Sequence, residues 1–454
     1  MNQISRKWIA IATCLICWFL SLILPHFQEN MSTPFVVFQI ALSVVLFFSI
    51  KKTLAYEISI SDLRAKLALL SIAFIHFMSL LLVKVEISDP YILWNRFGSG
   101  TMLKDDKVFP FGDLSHLTAA ASCSKRAMVG ELLCDPFDRI FNQNPHIVEF
   151  IRLTNLDDLL ILGIISSVLF YVSVFVIMSK FKNVRLQIFI TITSPPLILA
   201  LDRGNEILTI TLIIFGLYLI STQRKYFSVG YFLLSLSAIF KVWPIFLVFF
   251  ILLFNLRKLG WLSRIILSIP IIYWAVFYKN LIGMINSTQY RSPYGLSFGL
   301  NHYLNNTLEP LFLITFALFI AVSLFYLSIN VKRQLTFNQQ LINLFSPLLL
   351  TYVCLWVSGI HFSYRLVILI PILILLPVYE KNKSNLILLN SVIITVLITA
   401  RLSVTTALTT LLALIFCALI LNEIISNKSI NYLLNKAFNR LVVMNKPVPD
   451  ITKK

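Results

Sequence analysis

Residues 157–179 read DDLLILGIISSVLFYVSVFVIMS, and beyond the two leading aspartates nothing in the run carries a charge. An α-helix rises ~1.5 Å per residue, so a run of this length covers the ~30 Å hydrocarbon core of a bilayer. Inside that core each backbone N–H and C=O must be satisfied within the segment, as a helix does and an open strand does not. The run therefore predicts a transmembrane helix. Outward from it, apolar runs recur at 8–26, 34–50, 67–83, 187–201, 207–221, 228–240, 243–256, 265–278, 311–329, 341–358, 366–379, 385–400 and 405–422. The pattern implies about 12–14 spans. The expected fold class is all-α: a polytopic transmembrane helical bundle, one integral membrane domain over 1–422, with a large extracytoplasmic loop at 84–156 after the third span. Several runs are too short to cross upright, notably the pair flanking Lys241-Val242-Trp243-Pro244, and these predict broken or partly re-entrant helices.

Composition agrees. Hydrophobic residues make up 58% of the chain and charged residues 13%, with a mean hydropathy of +0.84, too little polar surface for a soluble globule of this size. The net charge of +18 raises nucleic acid as a partner, but no basic cluster with interleaved aromatics is present, and polytopic proteins use basic loops to fix orientation. With the N-terminus cytoplasmic, most of the 38 Lys and Arg fall in cytoplasmic segments. Most of the remainder crowd into the loop 84–156, where the positive-inside rule has little force. Both termini are thus expected in the cytoplasm, the basic tail 423–454 lying against anionic headgroups. A second outer loop spans 279–310. Neither GxxxxGK[ST] nor GxGxxG occurs, which argues against an ATP-driven pump and against a Rossmann domain handling a nucleotide-bound donor. No cofactor is implied.

Polar chemistry is densest in the first outer loop, around Gly112-Asp113-Leu114-Ser115-His116. Residues 114–122 predict a short helix with Asp113 as its N-cap, accepting from the N–H of Ser115 or His116. That structural role comes first, and it is compatible with a catalytic one, since the same carboxylate can take a proton from a substrate hydroxyl. Asp89, after the third span, is the second candidate. Cys123 and Cys134 are the cysteines outside the spans, and on an oxidising face they are expected to form a disulfide. Four outer connections each hold a basic residue at the membrane boundary: Arg203 with Asn205, Lys241, Arg365 with His361 and Tyr364, and Arg401. Arg401 is read as snorkelling to lipid phosphate. Arg203, Lys241 and Arg365 together suggest a phosphate-binding rim, because Arg grips phosphate through a planar fork and Lys supplies a compact charge. His116, His146, His302 and His361 lack metal-ligand spacing, and no metal site is expected.

Asp202-Arg203-Gly204-Asn205 before an apolar span, the basic turn Arg224-Lys225, a span led by Gly230, and Lys241-x-x-Pro244 resemble bacterial membrane glycosyltransferases of the polyprenol-phosphate-mannose-dependent type, within the C-type superfamily. Gly112-Asp113-Leu114, Cys123, the stretch Cys134 to Asn142, and Tyr364-Arg365-Leu366 are similar to outer-loop patterns of their uncharacterised relatives. The resemblance runs from about 109 to 366. It implies a transferase of the bacterial inner membrane that moves a hexose such as mannose from a polyprenyl-phosphate donor to an extracytoplasmic glycan or glycolipid acceptor, with inversion. Asp113 matches the general base, with Arg203, Lys241 and Arg365 on the lipid phosphate and His116, Asn205, His361 and Tyr364 in support. Arg-Gly-Asn stands where many relatives have Gly-Gln-x-Asn, which leaves the donor sugar open. Two other functions fit the same topology: a polymerase of lipid-linked polysaccharide, and a flippase or transporter for lipid-linked glycans. The transporter would need facing polar groups at the bilayer midplane.

Overall fold

The computed structural model describes residues 33–55, 59–84, 111, 114–123, 144–178, 183–185, 194–204, 206–222, 226–256, 259–287, 297–298, 339–358, 361–373, 383–400, 408–410 and 412–417, with isolated positions 12, 13, 16 and 20. The expected spans 8–26 and 311–329 and the tail 423–454 lie wholly or almost wholly outside them. Helices dominate: α1 Thr33–Ala55, α2 Asp62–Lys84, α3 Ser115–Ser122, α4 Pro145–Leu153, α5 Leu159–Met178, α6 Pro195–Arg203, α7 Ile207–Thr222, α8 Phe227–Phe240, α9 Pro244–Asn255, α10 Trp261–Val276, α11 Tyr278–Ser287, α12 Gln339–Ser358 and α13 Lys383–Ile398. A 3-10 segment occupies Ser363–Ile368. To the all-helical expectation the structure adds two short antiparallel ladders. Strand β1 (Ser59–Ser61) pairs with β2 (Asn183–Arg185), and β3 (Ser297–Phe298) with β4 (His361–Phe362).

Among the described residues two helical stretches are long and apolar enough to cross a membrane, Val37–Ala55 and Leu159–Val176, and a third candidate is the pair α10 and α11, bent by 77° at their junction. The other apolar stretches among the described residues, Leu69–Leu82 within α2 and Pro347–Trp356 within α12 included, are 10–17 residues long, or at most ~26 Å at the usual rise per residue, shorter than a bilayer core. Proline chemistry sets one of these limits. Within the expected span 187–201, whose residues 187–193 lie outside the described ones, helix α6 starts at Pro195, because Pro195 and Pro196 have no N–H to donate and Ser194 is held extended at φ −71°, ψ 143°. The expected span 265–278 begins instead at Trp261 and ends at the bend, so the outer loop placed at 279–310 opens with helix α11.

The interior and exterior are arranged as lipid solvation requires. Helices α1, α2 and α5 expose Phe38, Phe48, Leu70, Phe74, Ile165 and Val172 while burying Gln39, Ser43, His76, Ser79, Ser166 and Ser167. Several of the buried hydroxyls find an acceptor in the preceding turn. Ser43 donates to the carbonyl of Gln39 (2.8 Å), Ser166 to Leu162 (2.9 Å) and Thr395 to Ser391 (2.7 Å). Between α2 and α5 the Tyr171 hydroxyl lies 3.4 Å from His76 Nδ1. The core is centred on α7, whose Ile207, Ile210, Ile213 and Leu217 are fully buried. Helix α7 packs most extensively on α8, where Gly216 and Gly230 meet. A Cβ on Gly230 would lie 2.8 Å from the Gly216 carbonyl oxygen, so the two backbones approach as closely as small residues permit.

Candidate functional site

Phe111, in the segment assigned from the sequence to the first outer loop, is an anchor. Its ring is fully buried, lodged against Gly163 of α5 and Gly204, where a side chain on either glycine would collide with it. Phe111 takes a left-handed conformation, φ 58°, which costs an L-residue about 1–2 kcal/mol. From there its carbonyl accepts the Ser115 N–H at 2.9 Å. This corrects one expectation: a backbone carbonyl meets that donor, which the sequence offered to Asp113, and the cap position falls on Leu114. Asp113 itself lies outside the described residues, as do Asp89, Asn205 and Cys134. Phe111 and Leu114, the described neighbours of Asp113 in sequence, both close on Gly204.

Helix α3 carries His116, buried on the same small core as Phe111 and Leu117. Its last carbonyls are gathered by Arg152 of α4, whose guanidinium donates to the carbonyls of Ala121 (3.0 Å), Ala120 (3.1 Å) and Cys123 (3.2 Å) and to Glu149 (3.0 Å). A cation over the C-terminal carbonyls is favoured both as a cap and by the helix dipole. Cys123, at the end of this helix, is disulfide-bonded, while Cys354 and Cys417 are free. Asn144 then ties α4 to the apolar helices. Its side chain caps α4 by accepting the His146 N–H (3.1 Å), accepts the Tyr273 hydroxyl (2.9 Å) and donates to the Ile239 carbonyl (2.8 Å).

The basic residues lie on turns next to this anchor. Arg203 is the last residue of α6, and Gly204 ends the helix at φ 72°, its N–H bonded to the Ala200 carbonyl at 3.0 Å. A Cβ there would stand 2.9 Å from the Phe111 ring and 3.2 Å from Leu114, so glycine is required by conformation and by contact. Lys241 follows α8 in extended conformation and is half-buried, with its N–H on the Ser237 carbonyl at 3.0 Å. The two turns are joined by a side-chain bond that the motif reading did not anticipate: Trp243 Nε1 donates to Glu206 Oε2 at 2.9 Å, both residues being buried. Arg365 and Tyr364 sit in the 3-10 segment, which packs against α6. His361 lies in β4, whose pairing brings the second outer loop, through Ser297 and Phe298, beside the same segment.

Thus Phe111 and Leu114 and the segments bearing Arg203, Lys241 and Arg365 are linked through Phe111–Gly204, Glu206–Trp243 and the α6 contact with the 3-10 segment. Sequence reasoning overlooked Glu206, Trp243, Asn144 and Arg152 as structural ties. Glu206 did leave a signal, an acid at the very start of an apolar run, where ionised groups are costly. Among the described residues no three His, Cys, Asp or Glu side chains come together. No family model, no curated protein and no solved structure matches the chain.

Proposed function

We propose that this chain is a polytopic glycosyltransferase of the bacterial inner membrane, with both termini cytoplasmic, that transfers a hexose such as mannose from a polyprenyl-phosphate donor to an extracytoplasmic glycan or glycolipid. The observation that carries this reading is the linkage of three short segments, those of Arg203, Lys241 and Arg365, with Phe111 and Leu114 at one group of helix ends. A lipid phosphate at the outer boundary would meet Arg203, Lys241 and Arg365 there, beside the segment that holds Asp113. The ladders lend support to the topology. Strands β1 and β2 fall in two segments that the alternation of spans assigns to the cytoplasm, and β3 and β4 in two that it assigns outside.

In the proposed reaction the acceptor hydroxyl oxygen attacks the anomeric carbon from the face opposite the lipid phosphate. The new C–O bond forms as the bond to the phosphate oxygen breaks, and the hydroxyl proton passes to the Asp113 carboxylate. Such a positioned base contributes ~10²–10⁴-fold. Arg203, Lys241 and Arg365 stabilise the departing phosphate, where partial exclusion of water strengthens each interaction. The Cys123 disulfide, with Cys134 as its partner, holds the end of α3 in the oxidising compartment.

The test uses purified protein in lipid nanodiscs, with labelled polyprenyl-phosphate sugars and a mixture of lipid-linked glycan acceptors. Transfer of a single sugar by the wild type, lost in Asp113→Asn and Lys241→Ala at unchanged melting temperature, is the expected result. Undiminished transfer by Asp113→Asn would remove the general base. Activity only on diphosphate-linked oligosaccharides, with a ladder of products, would instead identify a polymerase.

A further inference from the structure

Glu206 is a carboxylate that packing alone would not place where it is. It is 1% exposed at the start of α7, among apolar helix ends, where burying a charge is costly unless it is hydrogen-bonded and a neutral apolar residue would cost less. Its side chain receives the indole N–H of Trp243, itself buried, at 2.9 Å across 37 positions of sequence. The two partners stand in equivalent places. Glu206 directly precedes α7 and follows Arg203 by three positions, and Trp243 directly precedes α9 and follows Lys241 by two. Local backbone bonds close each turn, Gly204 to Ala200 and Lys241 to Ser237. Among the side-chain hydrogen bonds of the described residues, that between Glu206 and Trp243 links the Arg203 turn to the Lys241 turn.

We propose that Glu206 and Trp243 are positioning residues that latch these two turns into one clamp, so that Arg203 and Lys241 close on a single lipid monophosphate at a fixed separation. This rests on reading the outer rim as a lipid-phosphate site. The latch lowers the ordering cost of binding: two cations on independent turns would each have to be immobilised when the phosphate arrives, whereas latched turns are already in place. A hydrogen bond to a charged acceptor is strong enough to hold them. The chemistry requires an acceptor at 206 and an N–H donor at 243. It does not require the negative charge, since a glutamine side-chain carbonyl can accept the same bond.

The experiment titrates polyprenyl monophosphate into the full chain in nanodiscs, for wild type, Glu206→Gln, Glu206→Ala, Trp243→Phe and the Glu206→Ala/Trp243→Phe double variant. Melting temperatures are recorded, together with the Trp243 indole N–H resonance. Losing a bond to a charged group predicts about tenfold weaker binding for Glu206→Ala and for Trp243→Phe. The double variant is expected to bind no worse than the singles, because both disrupt one interaction. Glu206→Gln is expected to stay within about threefold of wild type and to keep the shifted indole resonance. Wild-type affinity in Trp243→Phe, which preserves the ring and hence the fold, would overturn the latch while leaving the phosphate site standing. So would additive losses in the double variant. If the wild type itself binds no polyprenyl monophosphate, the phosphate reading fails and the latch with it.

Discussion

The side chain of Asn144 accepts the hydroxyl of Tyr273 at 2.9 Å across 129 positions of sequence, and so pins α4 to α10. The same amide caps α4 and donates to the Ile239 carbonyl of α8. One residue therefore joins three helices. Asn144→Ala is expected to destabilise the protein by about 2–3 kcal/mol, from a lost cap and two buried bonds of about 1 kcal/mol each. Hydrogen exchange should rise in residues 145–153 before it rises in α8. Exchange unchanged in α4 would show that the loop is held by its apolar contacts instead.

Gly204→Ala would place a methyl group 2.9 Å from the Phe111 ring in a residue at φ 72°. The left-handed conformation alone costs about 1–2 kcal/mol. Relief by displacement of Phe111 would move the segment of Asp113. The variant should therefore lose transfer activity while remaining folded, and a variant as active as wild type would separate this contact from catalysis.

Gly216 and Gly230 give a contrast within one protein. Adding a Cβ at Gly230 meets the Gly216 carbonyl oxygen at 2.8 Å, whereas Gly260 has nothing within 4 Å. Gly230→Leu should destabilise by about 1–3 kcal/mol through overpacking, and Gly260→Ala should stay within about 0.5 kcal/mol. Thermal unfolding in a single detergent compares them directly.

Topology is checked by single cysteines in a background with the reactive native thiols replaced. Ser59→Cys and Asn183→Cys, on the paired strands β1 and β2, should react with an impermeant maleimide only after spheroplasts are opened. Ser297→Cys should react in closed ones. Opposite faces for positions 59 and 183 would refute the proposed alternation of spans.

Cys123 is disulfide-bonded, and peptide mapping under non-reducing conditions is expected to recover it joined to Cys134. Closing so short a loop stabilises by up to ~3 kcal/mol, and Cys123→Ser should lower the melting temperature accordingly. A different partner would redraw the first outer loop.

Much of the helical layout was legible before any coordinates. Helices α5, α7, α8, α9 and α12 lie within a few residues of their apolar runs, because in hydrocarbon the backbone has one economical conformation and hydropathy alone reports it. The break at Lys241 was readable from Pro244 for the same local reason. The extended Ser194 before Pro195 was missed although its signal was local, since hydropathy does not register a missing N–H. What the sequence could not decide was which ends meet. That Glu206 faces Trp243, that Phe111 fills the space left by Gly163 and Gly204, and that Asn144 reaches Tyr273 depend on helix packing between distant segments. Apolar faces of similar composition can pack in many ways, so it is tertiary packing at these helix ends that selects which polar partners are within reach. The sequence by itself determined a membrane-type chain with its polar residues at the boundaries of apolar runs, and the tertiary structure decided which of those boundaries meet.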